Sequence, residues 1–181
     1  MNIIETEFEG LYIVEPKVFK DDRGFFFESF SDKALRDKGI HLNFVQDNHA
    51  MSIDKNVVRG LHYQKPPFEQ TKLVRVTKGS VFDVVVDLRR NSKTFKQWFG
   101  IELSGVNFKQ LLIPKGFAHG YLVLKPDTEF LYKVDNLYNP QSEGGIIWND
   151  PSLNIDWFVN SPILSLKDTK LPPLEESLNI F

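Results

Sequence analysis

From Val57 to Val134 short runs rich in β-branched and aromatic residues follow one another, broken at Pro66-Pro67, Lys78-Gly79, Arg90-Asn91, Ser104-Gly105, Pro114 and Lys125-Pro126. That cadence constrains the chain more than any other feature. β-Branched and aromatic side chains suit a pleated, half-buried surface, and 16 of the 181 residues are Phe. Many short strands spaced by turn residues argue for a sandwich or barrel. The length fits one domain with a sizeable core. The expectation is one all-β domain over residues 1–181, with a few short helices and an irregular tail packed on the body.

In chain order, Leu11 to Val14 reads as a strand and Asp21-Asp22-Arg23-Gly24 as a turn. Phe25 to Phe30 reads as a strand. Ser31 caps a short helix ending at Gly39, with Ala34, Leu35 and Lys38 inside it. Phe44 to Asn48 is a further strand. Lys72 to Thr77 alternates, putting Lys72, Val74 and Val76 on one face. Lys78-Gly79-Ser80 is a turn with a hairpin expected around it. In Val81 to Leu88, Asp83 and Val85 share a face. Trp98 to Leu103, Lys109 to Ile113 and Tyr121 to Leu124 are strands too, and Thr128 to Val134 aligns Phe130, Tyr132 and Val134. The tail from Pro151 carries Trp157, Ile163, Leu164 and Leu166, which predicts packing on the body. Arg75, Arg89 and Arg90 read as solvated or interface charges.

Several classes fall away. Without cysteine there is no disulfide, thiol nucleophile or cysteine metal site, which fits a reducing cytoplasm. No stretch approaches the roughly 20 apolar residues of a membrane span. Met1 to Phe8 carries two glutamates before any apolar run, unlike a secretory leader. A net charge of −2 argues against nucleic acid as a partner and leaves room for one small anionic ligand.

His62 and His119 each lie close to glycine in apolar surroundings, with Lys72 between them in the chain. Pro114-x-Gly116-x-x-His119 resembles the second motif of cupins, small jelly-roll barrels. A tight turn there aims one histidine into the barrel mouth. The His-x-His pair of metal-binding cupins is missing, since Tyr63 and Gln64 follow His62. An open catalytic metal site needs about three protein ligands, and here only Glu69 is available as a doubtful third. The expectation is therefore no metal and no cofactor. Acid–base chemistry fits better: histidine can take a proton near neutral pH, an inward tyrosine can donate one, and lysine can face a developing oxyanion.

The series Arg23-Gly24-x-Phe26-x-Glu28, Gln46-Asp47-Asn48, Val58 to Gln64, Lys72 to Val76, Val81 to Asp87, Ile113 to Gly120, Tyr132-Lys133, Tyr138-x-Pro140-x-x-Glu143 and Trp148 to Pro151 covers most of the chain in order. Together these segments resemble the dTDP-4-dehydrorhamnose 3,5-epimerase family. The resemblance implies a cupin-like jelly roll and a cofactor-free epimerase acting on a dTDP-4-keto sugar. His62 corresponds to the base, Tyr132 to the acid, Asp168 to the partner of the base, and Lys72 to the lysine facing the 4-keto oxygen. Arg59, His119 and Lys167 match residues around the diphosphate. Arg23, Glu28, Gln46, Asp47, Asn48 and Glu143 match the other binding positions, and Tyr138 matches the tyrosine that stacks on thymine. The resemblance also implies a homodimer with exchanged N-terminal strands.

Plainer readings stand beside these. A lone histidine on a strand is more often a satisfied core or surface residue than a base. Tyr132 has a plainer reading as a core tyrosine with a hydrogen-bonded hydroxyl, and Tyr138 as surface packing, though the acid and stacking roles are favoured. Asp83 competes with Asp168 for His62. Rival functions are a 3- or 5-only epimerase or ketoisomerase, a metal-dependent cupin oxygenase, and a non-catalytic sugar-binding cupin. One expectation is purely geometric. Arg59 and His62 are three apart, so a regular strand points them to opposite faces. If both line one pocket, the pleat must break at Gly60 or Leu61.

Overall fold

The computed structural model describes residues 1–177 and 181. Its strands in chain order are β1 (Asn2–Glu5), β2 (Tyr12–Glu15), β3 (Phe19–Asp21), β4 (Gly24–Phe26), β5 (Gln46–Ser52), β6 (Val58–Gln64) and β7 (Lys72–Lys78). Then follow β8 (Ser80–Asp87), β9 (Trp98–Ser104), β10 (Gln110–Ile113), β11 (Phe117–Val123), β12 (Thr128–Val134) and β13 (Glu143–Gly145). One sheet has the order β1-β2-β10-β7-β12-β5 and the other β13-β6-β11-β8-β9, while β3 and β4 form a separate small hairpin. The pairings are antiparallel.

Strands β8, β10 and β11 are covered on both faces, which explains their unbroken apolar runs. Between the sheets, Val74, Val76 and Phe130 meet Val81, Val85, Leu103, Phe117 and Val123. The outer face of the five-stranded sheet buries Val58, Leu61, Val84, Val86 and Leu122 against the tail residues Leu153, Trp157 and Leu174. Trp157 is also tied by its indole N–H to the Trp148 carbonyl at 2.7 Å. The outer face of the six-stranded sheet, through Val14, Leu73 and Leu112, packs on Leu35. Leu35 comes from helix α1 (Asp32–Arg36), where the Ser31 hydroxyl accepts from the Ala34 N–H at 3.3 Å.

The helix is shorter than expected. Lys38 lies in the turn that follows it, where Gly39 takes φ +76°. Phe25 to Phe30 is only partly strand, because after β4 the phenyl rings, not the backbone, find partners: Phe27 with Phe108, and Phe30 with Phe44. Strand β1 was not foreseen. Nor does Lys78-Gly79-Ser80 close a hairpin, since β7 and β8 lie in different sheets. Gly79, at φ +80°, sits where a Cβ would come 2.1 Å from the Thr128 hydroxyl, and that hydroxyl accepts from the Ser80 N–H at 3.3 Å. The turn is a corner between the two layers, and β7 takes β10 and β12 as neighbours instead.

Arg89 is not a solvated charge. Its guanidinium grips the fully buried Asp87 at 2.9 and 2.8 Å, donates to the Glu9 carbonyl and lies over the Phe117 ring. Arg75 is half-buried over the ring of Phe27. In the tail, Trp157 and Leu164 pack inward as expected, while Ile163 and Leu166 are exposed.

The break in β6 is present. His62 pairs with His119 and Arg59 with Tyr121, so three steps on β6 span two on β11. The extra residue turns Leu61 and Tyr63 onto the outer cluster with Val58, while Arg59 and His62 both line the cavity between the sheets. Gly60 makes this possible at φ +108°: a Cβ there would stand 2.6 Å from the His119 carbonyl oxygen.

Candidate active site

A cavity of about 550 Å³ opens between the two sheets and the C-terminal tail. Strand β6 supplies Arg59 and His62, β7 supplies Lys72, β11 supplies His119 and Tyr121, and β12 supplies Phe130 and Tyr132. Ser165, Lys167 and Asp168 close it from the tail. The tail reaches that position because Ile163 bridges Val57 in parallel, with the Val58 N–H donating to the Ile163 carbonyl at 3.0 Å.

His62 and Asp168 form a close pair, with Nε2 2.5 Å from Oδ1. Burial alone pushes the Asp168 carboxyl up. The hydrogen bond and charge of His62, helped by Ser165 and Lys167, outweigh this and hold it below its ordinary value. It is therefore an anion at neutral pH, able to orient the imidazole and balance an imidazolium. The rival, Asp83, is engaged elsewhere. Its carboxylate oxygens lie 3.1 and 3.0 Å from His119 Nε2. Burial raises the Asp83 carboxyl against the opposing pull of His119 and Lys72.

Lys72 is desolvated, which lowers its ammonium to about 8, while the charges of Asp83 and Glu143 resist the shift. Tyr132 is raised, first by burial and then by Glu143, against the pull of Arg59. Its phenol keeps its proton at neutral pH. Tyr121 is raised strongly by burial, and its ring stacks on Phe130 at 4.2 Å and 15°. The Arg59 guanidinium is steadied by the Ser52 hydroxyl at 3.3 Å.

Glu143, Tyr138 and Lys167 form one cluster near His62. The Tyr138 hydroxyl donates to Glu143 at 2.8 Å, and the Lys167 ammonium pairs with the other Glu143 oxygen. Burial raises Glu143, but Lys167 and Tyr138 together hold it below its ordinary value. Tyr138 itself is half exposed, on a loop that Gln64 anchors. The Gln64 amide accepts from the Asn139 N–H at 2.7 Å and donates to the Leu137 carbonyl at 3.1 Å.

The remaining sequence-predicted residues are spread more widely. Gln46 and Asn48 share a strand face with the cavity-lining Ala50, and Gln46 donates to Asn48 at 2.8 Å. Asp47 faces the other way and pairs with Lys133 at 2.8 Å. Arg23 lies on the β3–β4 arm, bound to Asp21, and neither it nor the exposed Glu28 reaches the cavity of its own chain. Glu69 is also off the cavity, and among the described residues no three His, Asp or Glu side chains converge as metal ligands. Sequence reading missed Ser165, Tyr121 and Phe130 as site residues. Strand alternation carries a signal for the last two, since Tyr121 is two residues from His119 and Phe130 two from Tyr132. Ser165-x-x-Asp168 has the spacing of a helix-capping pair.

A family model described as dTDP-4-dehydrorhamnose 3,5-epimerase matches residues 5–176. The chain belongs to the dTDP-4-dehydrorhamnose 3,5-epimerase family. It is 53% identical to the enzyme of that name from Escherichia coli (strain K12), over 99% of this chain and 98% of that one. A solved dTDP-4-dehydrorhamnose 3,5-epimerase from Bacillus anthracis, with TDP and PPi bound, is 51% identical, with a TM-score of 0.94 over 96% of this chain and 99% of that chain. A dTDP-6-deoxy-D-glucose-3,5-epimerase from Legionella pneumophila, in complex with dTDP-4-keto-L-rhamnose, is 49% identical, with a TM-score of 0.91 over 96% and 93%. The fold is thus the cupin-like β-sandwich that Pro114-x-Gly116-x-x-His119 led us to expect.

Proposed function

We propose that this chain converts dTDP-4-dehydro-6-deoxy-D-glucose to dTDP-4-dehydro-L-rhamnose by epimerisation at C3 and C5, without a cofactor. The observation that carries this is one cavity holding a His–Asp pair, a desolvated lysine and a protonated tyrosine. The 4-keto group acidifies the hydrogens on C3 and C5. His62, oriented by Asp168, takes one of them. The electron pair moves onto the keto oxygen as an enolate, and the Lys72 ammonium stabilises that charge. Tyr132 returns a proton from the opposite face, which inverts the carbon. The substrate carries its own electron sink.

Arg59, His119 and Lys167 serve the diphosphate, Tyr138 stacks on thymine, and Gln46, Asn48 and Glu143 serve the sugar nucleotide. Arg23 and Glu28 lie outside their own chain's cavity, and the arm that carries Arg23 exposes Phe19, Phe25 and Phe26. These facts support a homodimer in which each arm completes the partner's site; the outward-facing Asp47 would belong to that interface. One domain over the whole chain does this work. The absence of cysteine and a water-soluble substrate fit a cytoplasmic enzyme, and among the described residues no helix is long and apolar enough to cross a membrane.

The test is proton NMR of the proposed substrate with the protein in heavy water. Deuterium entering both C3 and C5, with inversion at each, supports the reading. Exchange at one carbon alone makes it a single epimerase, and no exchange at either overturns it.

A further inference from the structure

The carboxylate that holds His62 is itself held, at both ends of one short turn. The Ser165 hydroxyl donates to Asp168 Oδ2 at 2.9 Å. The Ser165 Oγ in turn accepts from the Asp168 backbone N–H at 3.0 Å. A 3-10 turn, Asp168–Lys170, begins there, and Asp168 is buried. One oxygen of Asp168 is thereby occupied by Ser165, and the other faces His62 Nε2. Without the serine, an aspartate side chain has rotational freedom about two torsions and no reason to present one particular oxygen. We propose that Ser165 is a positioning residue, whose hydroxyl fixes the Asp168 carboxylate and through it the ring orientation and tautomer of His62.

This rests on the reading of His62 as the base, but it reaches further, because it predicts a property of the resting protein. With Asp168 anionic, His62 carries its proton on Nε2, and Nδ1 keeps the lone pair. The other charged or titratable groups near this pair are Glu143 on β13, Lys167 in the tail, and His119, the cross-strand partner on β11. Glu143 is already satisfied by Tyr138 and Lys167, and His119 by Asp83. None of these three donates a hydrogen bond to the Asp168 carboxylate, which is bonded to His62 and Ser165.

The experiment compares wild type with Ser165→Ala, Ser165→Thr and Ser165→Gly. Thr keeps both hydrogen bonds. Gly is nearly as good as Ser at the cap of the turn but has no hydroxyl to donate. Two readouts are taken: the His62 tautomer from 15N shifts in histidine-labelled protein, and kcat and KM from the NMR exchange assay. The expectation is a single Nε2–H tautomer in wild type and Ser165→Thr, and mixed tautomers in Ser165→Ala and Ser165→Gly. With the loss of one orienting hydrogen bond, kcat should fall on the order of ten-fold while KM stays near wild type. An unchanged tautomer in either the Ala or the Gly variant overturns the proposal, whatever happens to the rate. A shifted tautomer with an unchanged rate supports the positioning role and overturns His62 as the base, so the two readings fail separately.

Discussion

His62 and His119 lie directly across from each other on adjacent antiparallel strands, yet each is held by a different aspartate: Asp168 at 2.5 Å and Asp83 at 3.0 Å. Their surroundings divide the work. The His62 side chain is 31% exposed toward the cavity, whereas that of His119 is 8% exposed and locked onto a fully buried carboxylate. Only the first is open to take a proton from a bound sugar. We therefore expect His62→Ala to abolish nearly all deuterium exchange while dTDP still binds. General-base contributions run to about 10²–10⁴-fold. Near wild-type exchange in this variant would remove His62 from the mechanism.

Tyr132 lines the cavity from β12, on the sheet that faces β6. Tyr132→Phe removes the hydroxyl and keeps the ring against Phe130. Proton removal survives this change and return from the far face does not. Deuterium wash-in should become faster than net inversion, both followed in a single NMR time course. Equal loss of the two would assign Tyr132 a purely structural role.

Lys72 gives opposite pH signs for activity and stability. In the proposed mechanism its ammonium is the form that stabilises the enolate, so activity should fall as pH rises through about 8, to which burial has lowered it. Lys72→Met should cost about 10²–10³-fold, the usual price of one preorganised electrostatic group, and should lose that alkaline limb. For stability, the folded protein binds fewer protons than the unfolded chain between about 8 and the ordinary value of 10.5. The contribution of this lysine therefore becomes more favourable as pH rises through that window. Urea midpoints of wild type and Lys72→Met, compared at pH 7 and pH 10, test the sign.

Gly60 is where the backbone brings Arg59 and His62 to one side. Any side chain would meet the His119 carbonyl and the Gly120 Cα, at 2.6 and 2.7 Å, in a backbone conformation with φ +108°. Gly60→Val should lower stability by more than the roughly 1–3 kcal/mol of an unfavourable dihedral alone. Activity should fall further than the fraction unfolded explains. A urea melt showing wild-type stability would mean that the strand relaxes at little cost.

Arg59 supplies an exposed cation at the cavity of a slightly acidic protein. Arg59→Ala should weaken dTDP binding and flatten its dependence on salt, since an exposed cation draws in an anion by a charge interaction that salt screens. Calorimetric titration with dTDP at two ionic strengths reads both effects. Unchanged titrations would move the diphosphate elsewhere.

The sequence alone determined the sandwich class, because alternation and turn residues act over a few positions and need no distant partner. It also marked His62, Lys72, Tyr132 and His119, whose setting in ordered motifs pointed to one family; Asp168 entered only as the candidate that the resemblance implied, with Asp83 as its competitor. The bulge at Gly60 was legible too, since strand periodicity and a shared pocket left no other solution. What sequence misjudged was pairing. The turn at Gly79 reads as a hairpin because a tight turn looks the same whether the chain folds back or changes layer, and Thr128, far along the chain, decides which. Arg89 reads as a surface charge until Asp87 and Phe117 enclose it. Only the tertiary structure assigned Asp168 to His62 and Asp83 to His119. That choice depends on where the tail lands after Ile163 docks on Val57, and no local pattern fixes the distance between segments about a hundred residues apart.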